Sequence, residues 1–577
     1  MGEPTRPLPP LVPLANGGWE VNSFLSSAEY TIRGLGLMPP NTIVPVIVVP
    51  GIMGTNLRAK RKPILGKQQD ERNAILSPGA AAWRPPNGNQ DGARAALKWD
   101  KISPRDRQKL FNPATLEVDD SGTVVLPDTE DGYVLTEAEV RQRGWGEVHA
   151  DSYGILLHAL QTRLNQTFGS DDQTKRRFVQ PHWKQVMSFE ATRWGVREFA
   201  ALTEAQLEKH ATQYYPVYAV GYNWLEDCDT SSRHLEKRIR EIMDSWRKSK
   251  RRCEKVILIT HSMGGFVARA CAKRIPEKIA GVIHGVMPAL GAPAAYRRIA
   301  CGTESSSPSN EGFEHLSALG IAKILGATPD KTTPVLATAP GALELLPNHL
   351  YPGPWLHVRV AKVRNPQHVS NRDARMNSQS GDIATDYLKL PSQIAPNPYD
   401  LYRDTRCWYR LIDLKLADPA RRFREPTDLT RAIRAAIDTA ERFHRTLGDY
   451  YHPNTYVFYG DDQNKRSYGQ MRWLARQWGG SPIALTTSNI AAGELVGRPS
   501  GWNRRVLVEG RVELQFEPEP QDTRGDGTVP KQSGAGPSGR VKQIFATQGF
   551  DHQGSYNNDD MLMLTLRLIV KIVQEMS

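Results

Sequence analysis

Long apolar runs and paired cysteines are both missing from this sequence. No run of about 18 apolar residues occurs, which argues against a polytopic membrane protein. The five cysteines contain no C-x-x-C pair, so a metal knot is not expected, and so sparse and odd a set favours a reducing compartment over a disulfide framework. The proline-rich start lacks the apolar segment of a Sec-type signal peptide. We therefore expect synthesis in the cytoplasm, with no cofactor and no bound metal.

The composition is that of a globular protein with a surplus of basic residues. Of the 577 residues, 39% are hydrophobic and 24% are charged, which excludes a wholly disordered or collagen-like chain. Lys and Arg outnumber Asp and Glu by 74 to 62, a net charge of +12. This balance favours an anionic partner, which could be nucleic acid, a phospholipid surface or an acidic protein. Charge alone does not separate the three.

Apolar, β-branched runs alternate with amphipathic segments along most of the chain. The runs predict buried parallel strands and the segments predict helices, as in an α/β protein. The predicted strands are 43–49, 217–221, 256–260, 281–287, 455–459 and 541–546, and the predicted helices include 153–164, 230–245, 265–274, 430–443 and 561–573. We expect an N-terminal arm over 1–40 and one α/β domain over 41–577. Insertions are expected at 58–145, 290–450 (a cap or lid) and 463–520, with the polar, Pro- and Gly-rich stretch 58–135 outside the core.

The strongest local signal is a serine between a predicted strand and a predicted helix. Strand 256–260 is followed by His261-Ser262-Met263-Gly264-Gly265. This order is typical of a nucleophile elbow, in which a sharp turn lifts the serine hydroxyl above the sheet. Gly264 meets the need for a small residue two positions after the serine, whereas Thr260 departs from the usual glycine two positions before it. A chance serine in a strand–helix loop is the alternative, and the surrounding elements argue against it.

A glycine-containing loop after the first strand is the second signal. Pro50-Gly51-Ile52-Met53-Gly54 follows strand 43–49, where serine hydrolases of this type place one oxyanion-hole amide. The predicted donors are the backbone N–H groups of Ile52 and Met263. An ordinary glycine turn is the alternative, and a phosphate-binding loop fits less well because no Gly-Lys-Ser/Thr follows.

An acid and a histidine follow the serine in the order that a Ser-Asp-His triad requires. Asp526 lies in the small-residue turn Gly-Asp-Gly-Thr-Val-Pro, and His552 follows the last predicted strand. Asp461, directly after strand 455–459, is a rival acid, and Asp526 is favoured because it lies closer to His552. A turn-forming aspartate is the other interpretation of Asp526. His261 and His284 are expected to be structural.

With these motifs in place, the sequence resembles the lecithin:cholesterol acyltransferase-like and GPI inositol-deacylase-like branch of the α/β-hydrolases. The matching segments are 44–57, 221–224, 256–265, 341–347 and 525–530, together with His552. Within that branch it is most similar to bacterial phospholipase effectors of type VI secretion systems, on the stretch RGWGEVHADSYGILLHAL at 143–160. The resemblance implies an α/β-hydrolase fold and lipolytic esterase activity through Ser262, Asp526 and His552. It also implies delivery by a non-Sec route into a target cell's periplasm, an immunity protein and a secretion-spike partner.

Two other functions stay open at this point. The charge of +12 fits a basic membrane- or nucleic-acid-binding protein on an inactive hydrolase scaffold. The densest basic cluster, 247–252, is however expected at the end of the sheet away from Ser262, as a solvated turn, so a nucleic-acid partner is not expected. Acyl transfer to an alcohol instead of water is the second alternative. Taken together, the motifs favour a serine phospholipase acting on a phospholipid membrane.

Overall fold

A six-stranded, entirely parallel sheet organises the protein. The computed structural model describes residues 11–13, 19–21, 40–61, 76–126, 135–170, 177–304, 320–363, 384–478, 483–497 and 502–576. The sheet contains β1 (Val46–Val49), β2 (Val217–Ala219), β3 (Val256–His261), β4 (Ile279–Gly285), β5 (Thr455–Gly460) and β6 (Gln543–Thr547). Its spatial order is β2-β1-β3-β4-β5-β6, and every pairing is parallel. All six carboxyl ends therefore open on one edge, where a doubly wound sheet carries its site.

Five long helices cover the two faces of this sheet. They are α1 (Ala150–Asn165), α2 (Cys228–Lys248), α3 (Gly264–Arg274), α4 (Pro426–Leu447) and α5 (Asp559–Gln574). Alternate side chains of β1 enter different cores: Ile47 and Val49 pack with α2, α3 and α4, while Val46 and Val48 pack with α1 and α5. The strands are apolar on both faces because both faces are covered, which is why they were readable as continuous apolar runs.

A second six-stranded sheet, of mixed direction, is built jointly by two of the predicted insertions. Its order is Ala384–Leu390, Leu356–Val363, Met471–Trp478, Val512–Pro518, Arg504–Val508 and Glu494–Leu495. The first two strands come from 290–450 and the other four from 463–520, and they meet in a parallel pairing of Leu356–Val363 with Met471–Trp478. The inward side chains of this sheet belong to the same core cluster as α2, α3 and α4. The two insertions therefore form one layer on the core of the parallel sheet.

The polar stretch 58–135 contributes to the core, and the expectation that it lies outside was wrong. Trp83, Trp99 and Phe111 are all buried, and Trp83 packs edge-on against Trp224 with ring centroids 6.0 Å apart. These aromatics are scattered singly among polar, Pro and Gly residues, so no periodic pattern announces them. Trp83 and Phe111 pack against Trp224, more than a hundred residues away in the chain, and Trp99 stacks on Phe111. Residues 1–10, 14–18 and 22–39 of the expected N-terminal arm lie outside the described residues.

Further strands and helices lie outside the two large sheets and the five helices named above. Further strands are Leu11–Pro13, Trp19–Val21, Thr42–Ile43, Leu57–Ala59, Ala81–Trp83, Leu116–Val118, Phe168–Ser170, Arg177–Val179, Gln213–Tyr214, Asp462–Ser467 and Thr523–Gly525. Further helices are Asn89–Asp100, Pro104–Leu110, Glu137–Gln142, Pro181–Met187, Glu204–Ala211, Pro293–Cys301, 320–325, Pro329–Leu336, Pro340–Leu343, Pro398–Arg403, Leu414–Ala417, Thr487–Ala491 and Lys531–Gly534, with short 3-10 turns at Pro113–Thr115, Trp145–Glu147, Ala191–Trp194, Pro276–Lys278 and Ser555–Asn557. Within the described ranges, no helix has the length and apolar character needed to cross a bilayer.

Candidate active site

The turn between β3 and α3 holds Ser262 in a strained conformation. Ser262 has φ of 51°, a left-handed value that L-residues other than Gly, Asn and Asp seldom adopt. Its amide donates to the Gly285 carbonyl oxygen at 3.0 Å, which fixes the turn to β4. A Cβ on Gly264 would lie only 2.4 Å from the Val49 carbonyl oxygen, so this position has room for glycine alone. The backbone is thus shaped as a nucleophile elbow requires.

Thr260, the departure from the usual glycine, is accommodated by a buried hydrogen bond. Its hydroxyl lies 2.8 Å from Nδ1 of His284 on the neighbouring strand β4. Burial lowers the pKa of His284 to about 3, so the ring stays neutral. The threonine therefore has a polar partner inside the sheet, and His284 is structural, as predicted.

His552 links the serine to a buried carboxylate. Its Nε2 lies 2.8 Å from the Ser262 hydroxyl oxygen, and its Nδ1 lies 2.8 Å from Oδ2 of Asp526. The His552 amide also donates to the Asp526 carbonyl oxygen at 2.8 Å. The structure thus brings together the three predicted triad residues, which are 264 and 26 residues apart in the order Ser262, Asp526, His552. This arrangement can pass the serine proton to an imidazole that a carboxylate orients.

The Asp526 carboxylate is held by backbone amides of its own turn. The side chain is 1% exposed, and Oδ1 accepts the Thr528 and Val529 amides at 3.0 and 2.7 Å. Oδ2 is left for His552. Gly527, at φ of 90°, makes the turn that brings these amides back onto the carboxylate. The rival acid, Asp461, instead forms an ion pair with Arg524, at 2.9 Å, and does not contact His552.

The glycine loop 50–54 after β1 lies against the elbow. A Cβ on Gly51 would be 3.0 Å from Cβ of Ser262, so the loop backbone touches the nucleophile. The Gly51 amide already donates to the Tyr153 hydroxyl at 2.9 Å, and Gly54 donates to the Gly51 carbonyl at 3.1 Å. The predicted donors, the amides of Ile52 and Met263, have no hydrogen-bond acceptor among the described residues. They stay candidates for an oxyanion hole.

His261 points away from the serine, as expected, and Tyr153 is a neighbour that the sequence reasoning did not single out. The Tyr153 hydroxyl lies 3.0 Å from Nδ1 of His261, whose Nε2 lies 2.8 Å from the His552 carbonyl oxygen. Burial, followed by the charge of His552, lowers the pKa of His261 to about 3. The one available signal for Tyr153 was its place in the segment 143–160.

A small, mostly apolar cavity of about 20 Å³ adjoins the loop 50–54. Its lining residues are mostly aromatic and aliphatic: Met53, Trp83, Arg107, Phe111, Trp224, Ile324, Leu325, Thr332, Val335 and Leu336. Two of them, Ile324 and Leu325, lie at the end of the short helix 320–325. In the described part of the chain, no cluster of His, Cys, Asp or Glu has the number of ligands to hold a metal ion.

Comparisons with known proteins bear on the fold that carries this site. A family model described as "PGAP1-like alpha/beta domain" matches residues 226–305, which include β3, the elbow and α3. A solved structure, "The crystal structure of Tle4-Tli4 complex", aligns with 92% of this chain and 99% of the matched chain, at a TM-score of 0.69 and 26% identity. No curated protein matches the chain. The α/β-hydrolase fold predicted from the sequence, and the resemblance stated there, are confirmed.

Proposed function

We propose that this chain, an α/β-hydrolase of the lipase and esterase type with a PGAP1-like α/β domain, hydrolyses ester bonds of membrane phospholipids through a covalent acyl-enzyme. One observation carries the proposal. The hydroxyl of Ser262, the imidazole of His552 and the carboxylate of Asp526 are joined by two hydrogen bonds of 2.8 Å each. A purely structural histidine–aspartate pair would not need a serine on a strained turn beside it. In acyl transfer, each of the three groups has a role.

Each group has a defined part in this mechanism. His552 Nε2 accepts the Ser262 proton as Oγ attacks the ester carbonyl, and Asp526 stabilises the imidazolium that forms. The oxyanion develops next to the amides of Ile52 and Met263 and to the N-terminus of α3, where positive partial charge accumulates. His552 then returns the proton to the leaving alcohol. In the second half-reaction the same imidazole activates water, which releases the fatty acid and restores Ser262.

The lipid substrate is supported by charge. The net charge of +12 favours encounter with anionic phospholipid headgroups. The basic segment 247–252 lies between α2 and β3, at the opposite edge of the sheet from Ser262, and Arg252 pairs there with Glu254. That pairing favours a solvated turn over a nucleic-acid site.

The biological setting is part of the same proposal. The chain aligns over nearly all of a protein whose solved structure is a complex, Tle4-Tli4. We infer a comparable neutralising partner, an immunity protein, for this chain, and a role as an antibacterial type VI effector. In that role it is carried by a secretion-spike protein and acts in the periplasm of a target cell.

The proposed activity is tested with Ser262→Ala and a matched serine variant. Purified protein is incubated with phospholipid vesicles and the released fatty acid is measured. We expect Ser262→Ala to lose at least about 10⁴-fold in kcat, while Ser249→Ala, at the exposed end of α2, keeps the parent rate. A serine-directed fluorophosphonate labels Ser262 in the parent. Equal hydrolysis by Ser262→Ala, or labelling at another residue, would overturn the proposal.

A further inference from the structure

The first turn of α1 touches both loops of the candidate active site, yet the triad mechanism gives it no part. Tyr153 is 1% exposed and lies in the segment 143–160, on which the resemblance stated from the sequence depends. Its hydroxyl accepts the Gly51 amide at 2.9 Å on one side and meets Nδ1 of His261 at 3.0 Å on the other. The tyrosine therefore joins the loop after β1 to the nucleophile elbow.

The hydrogen bond between His261 and the His552 carbonyl determines which atom donates in each of these contacts. His261 Nε2 lies 2.8 Å from the His552 carbonyl oxygen, which can only accept, so Nε2 carries the proton. Nδ1 is then unprotonated and accepts the hydrogen bond that the Tyr153 hydroxyl donates. The hydroxyl oxygen is left free to accept from Gly51. Burial keeps His261 neutral, with a pKa of about 3, so this arrangement persists across the working pH range.

The glycines of the loop are fitted to the same two side chains. A Cβ on Gly51 would lie 2.8 Å from Nδ1 of His261, and a Cβ on Gly54 would lie 2.7 Å from the Tyr153 hydroxyl. Contacts that close require glycine, since real Cβ atoms do not approach to such distances. The backbone carrying Ile52 is therefore positioned by Tyr153 and His261 at both of its ends.

A parallel connection runs through the residues that begin α1. The Gln553 amide, next to the catalytic candidate His552, donates to the Ser152 hydroxyl, which lies 2.6 Å from Nδ1 of His149. The His149 backbone amide donates to the Gly54 carbonyl at 3.0 Å. Both ends of the loop 51–54 and both residues 552 and 553 are thus connected to one rigid helix start.

We propose that Tyr153 and His261 are positioning residues that set the oxyanion loop and His552 relative to each other through one hydrogen-bond chain, from the Gly51 amide to the His552 carbonyl. This inference rests on the proposed serine-hydrolase function. Neither side chain hydrogen-bonds to Ser262, although the His261 ring lies beside the His552 ring, with centroids 5.2 Å apart. Their effect is on the orientation of His552 and of the oxyanion loop, so a small displacement lowers the rate of the chemical step more than it weakens binding.

The test compares steady-state kinetics on a soluble short-chain ester across a set of variants. Tyr153→Phe removes only the hydroxyl, and His261→Leu removes both ring nitrogens. We expect each to lower kcat by about 10- to 100-fold with KM within about twofold. His261→Gln, which retains an N–H donor for the His552 carbonyl, restores kcat at least threefold over His261→Leu. Tyr215→Phe is the matched control, because it loses an equally buried hydroxyl bond, to the His210 carbonyl, far from the site.

The double variant Tyr153→Phe/His261→Leu separates a chain from two independent effects. Residues that act through one connection lose little more together than the worse of them loses alone. If the double variant's kcat is within threefold of that of the worse single variant, the two residues act through one hydrogen-bond chain. A loss equal to the product of the two single losses overturns it, as does Tyr153→Phe with the kcat of Tyr215→Phe. An inactive parent would instead refute the proposed function, so the two failures are distinguishable.

Discussion

Replacing Asp526 by asparagine is the sharpest test of how the carboxylate works, because the residue's surroundings dictate the outcome. Oδ1 of Asp526 accepts the Thr528 and Val529 amides, and Oδ2 faces Nδ1 of His552. In Asp526→Asn the amide oxygen keeps the two backbone donors, so the NH₂ group faces His552. Nδ1 must then accept, which moves the ring proton to Nε2, the atom that should receive the Ser262 proton.

The expected magnitude follows from that tautomer change and from the lost negative charge. With Nε2 protonated, His552 cannot act as the base, and the imidazolium in the transition state has no carboxylate beside it. A loss of about 10⁴-fold in kcat is expected, equivalent to about 5.4 kcal/mol of transition-state stabilisation. Because the asparagine retains both backbone hydrogen bonds and the shape of aspartate, the thermal unfolding midpoint should shift little.

Asp461→Asn is the matched control, since Asp461 is the other acid that follows a strand end. It pairs with Arg524 and leaves His552 untouched, so kcat should stay within about twofold of the parent. Ester hydrolysis and thermal unfolding are measured on both variants. The reasoning is refuted if Asp526→Asn keeps more than a tenth of the parent kcat, or if Asp461→Asn loses as much.

Three further predictions concern the fold that carries the site. In Gly264→Ala a Cβ would lie 2.4 Å from a carbonyl oxygen of β1, so we expect lost activity and about 1–3 kcal/mol of destabilisation in urea unfolding. Gly92→Ala has open space at the Cβ and should be neutral or stabilising. Equal stabilities of the two variants would contradict this prediction. Trp83→Ala should lower the free energy of unfolding by about 3–5 kcal/mol, because the ring is buried. Trp502 is 42% exposed, so Trp502→Ala should change that free energy by no more than about 0.5 kcal/mol. A cost below about 1 kcal/mol for Trp83→Ala would place its segment outside the core. Burial lowers the pKa of His210 from 6.5 to about 4, so as the pH falls the unfolded chain binds a proton at this residue before the folded protein does. The stability that the neutral buried ring contributes is therefore complete above pH 6.5 and declines towards pH 4. At about pH 5 the free energy of unfolding is about 2 kcal/mol lower for this reason. His210→Gln should therefore reduce the drop in urea midpoint between about pH 7.5 and 5. An unchanged drop would disprove the prediction.

Local patterns in the sequence were sufficient for the parallel sheet, for the five helices that cover it and for most of the site. The parallel strands are apolar on both faces, so they stand out as continuous runs, and β3, the elbow and α3 follow each other without interruption. Because the carboxyl ends of parallel strands share one edge, residues that follow those ends are forced towards each other. Ser262 and His552 could be named on that basis, and Asp526 from its small-residue turn and its place between them in the order of a triad.

The choice between the two acids, the shared second sheet and the support of the loop depended on tertiary structure. Asp461 and Asp526 both follow strand ends, and only the turn geometry directs one carboxylate to His552 and the other to Arg524. Trp83 is a single aromatic residue without a periodic pattern. Tyr153 begins a predicted helix, but its hydroxyl meets partners 102 and 108 residues away. Sequence periodicity records which face of a short segment is buried. It holds no information on which distant segment covers that face, and here that pairing decides how the nucleophile is supported.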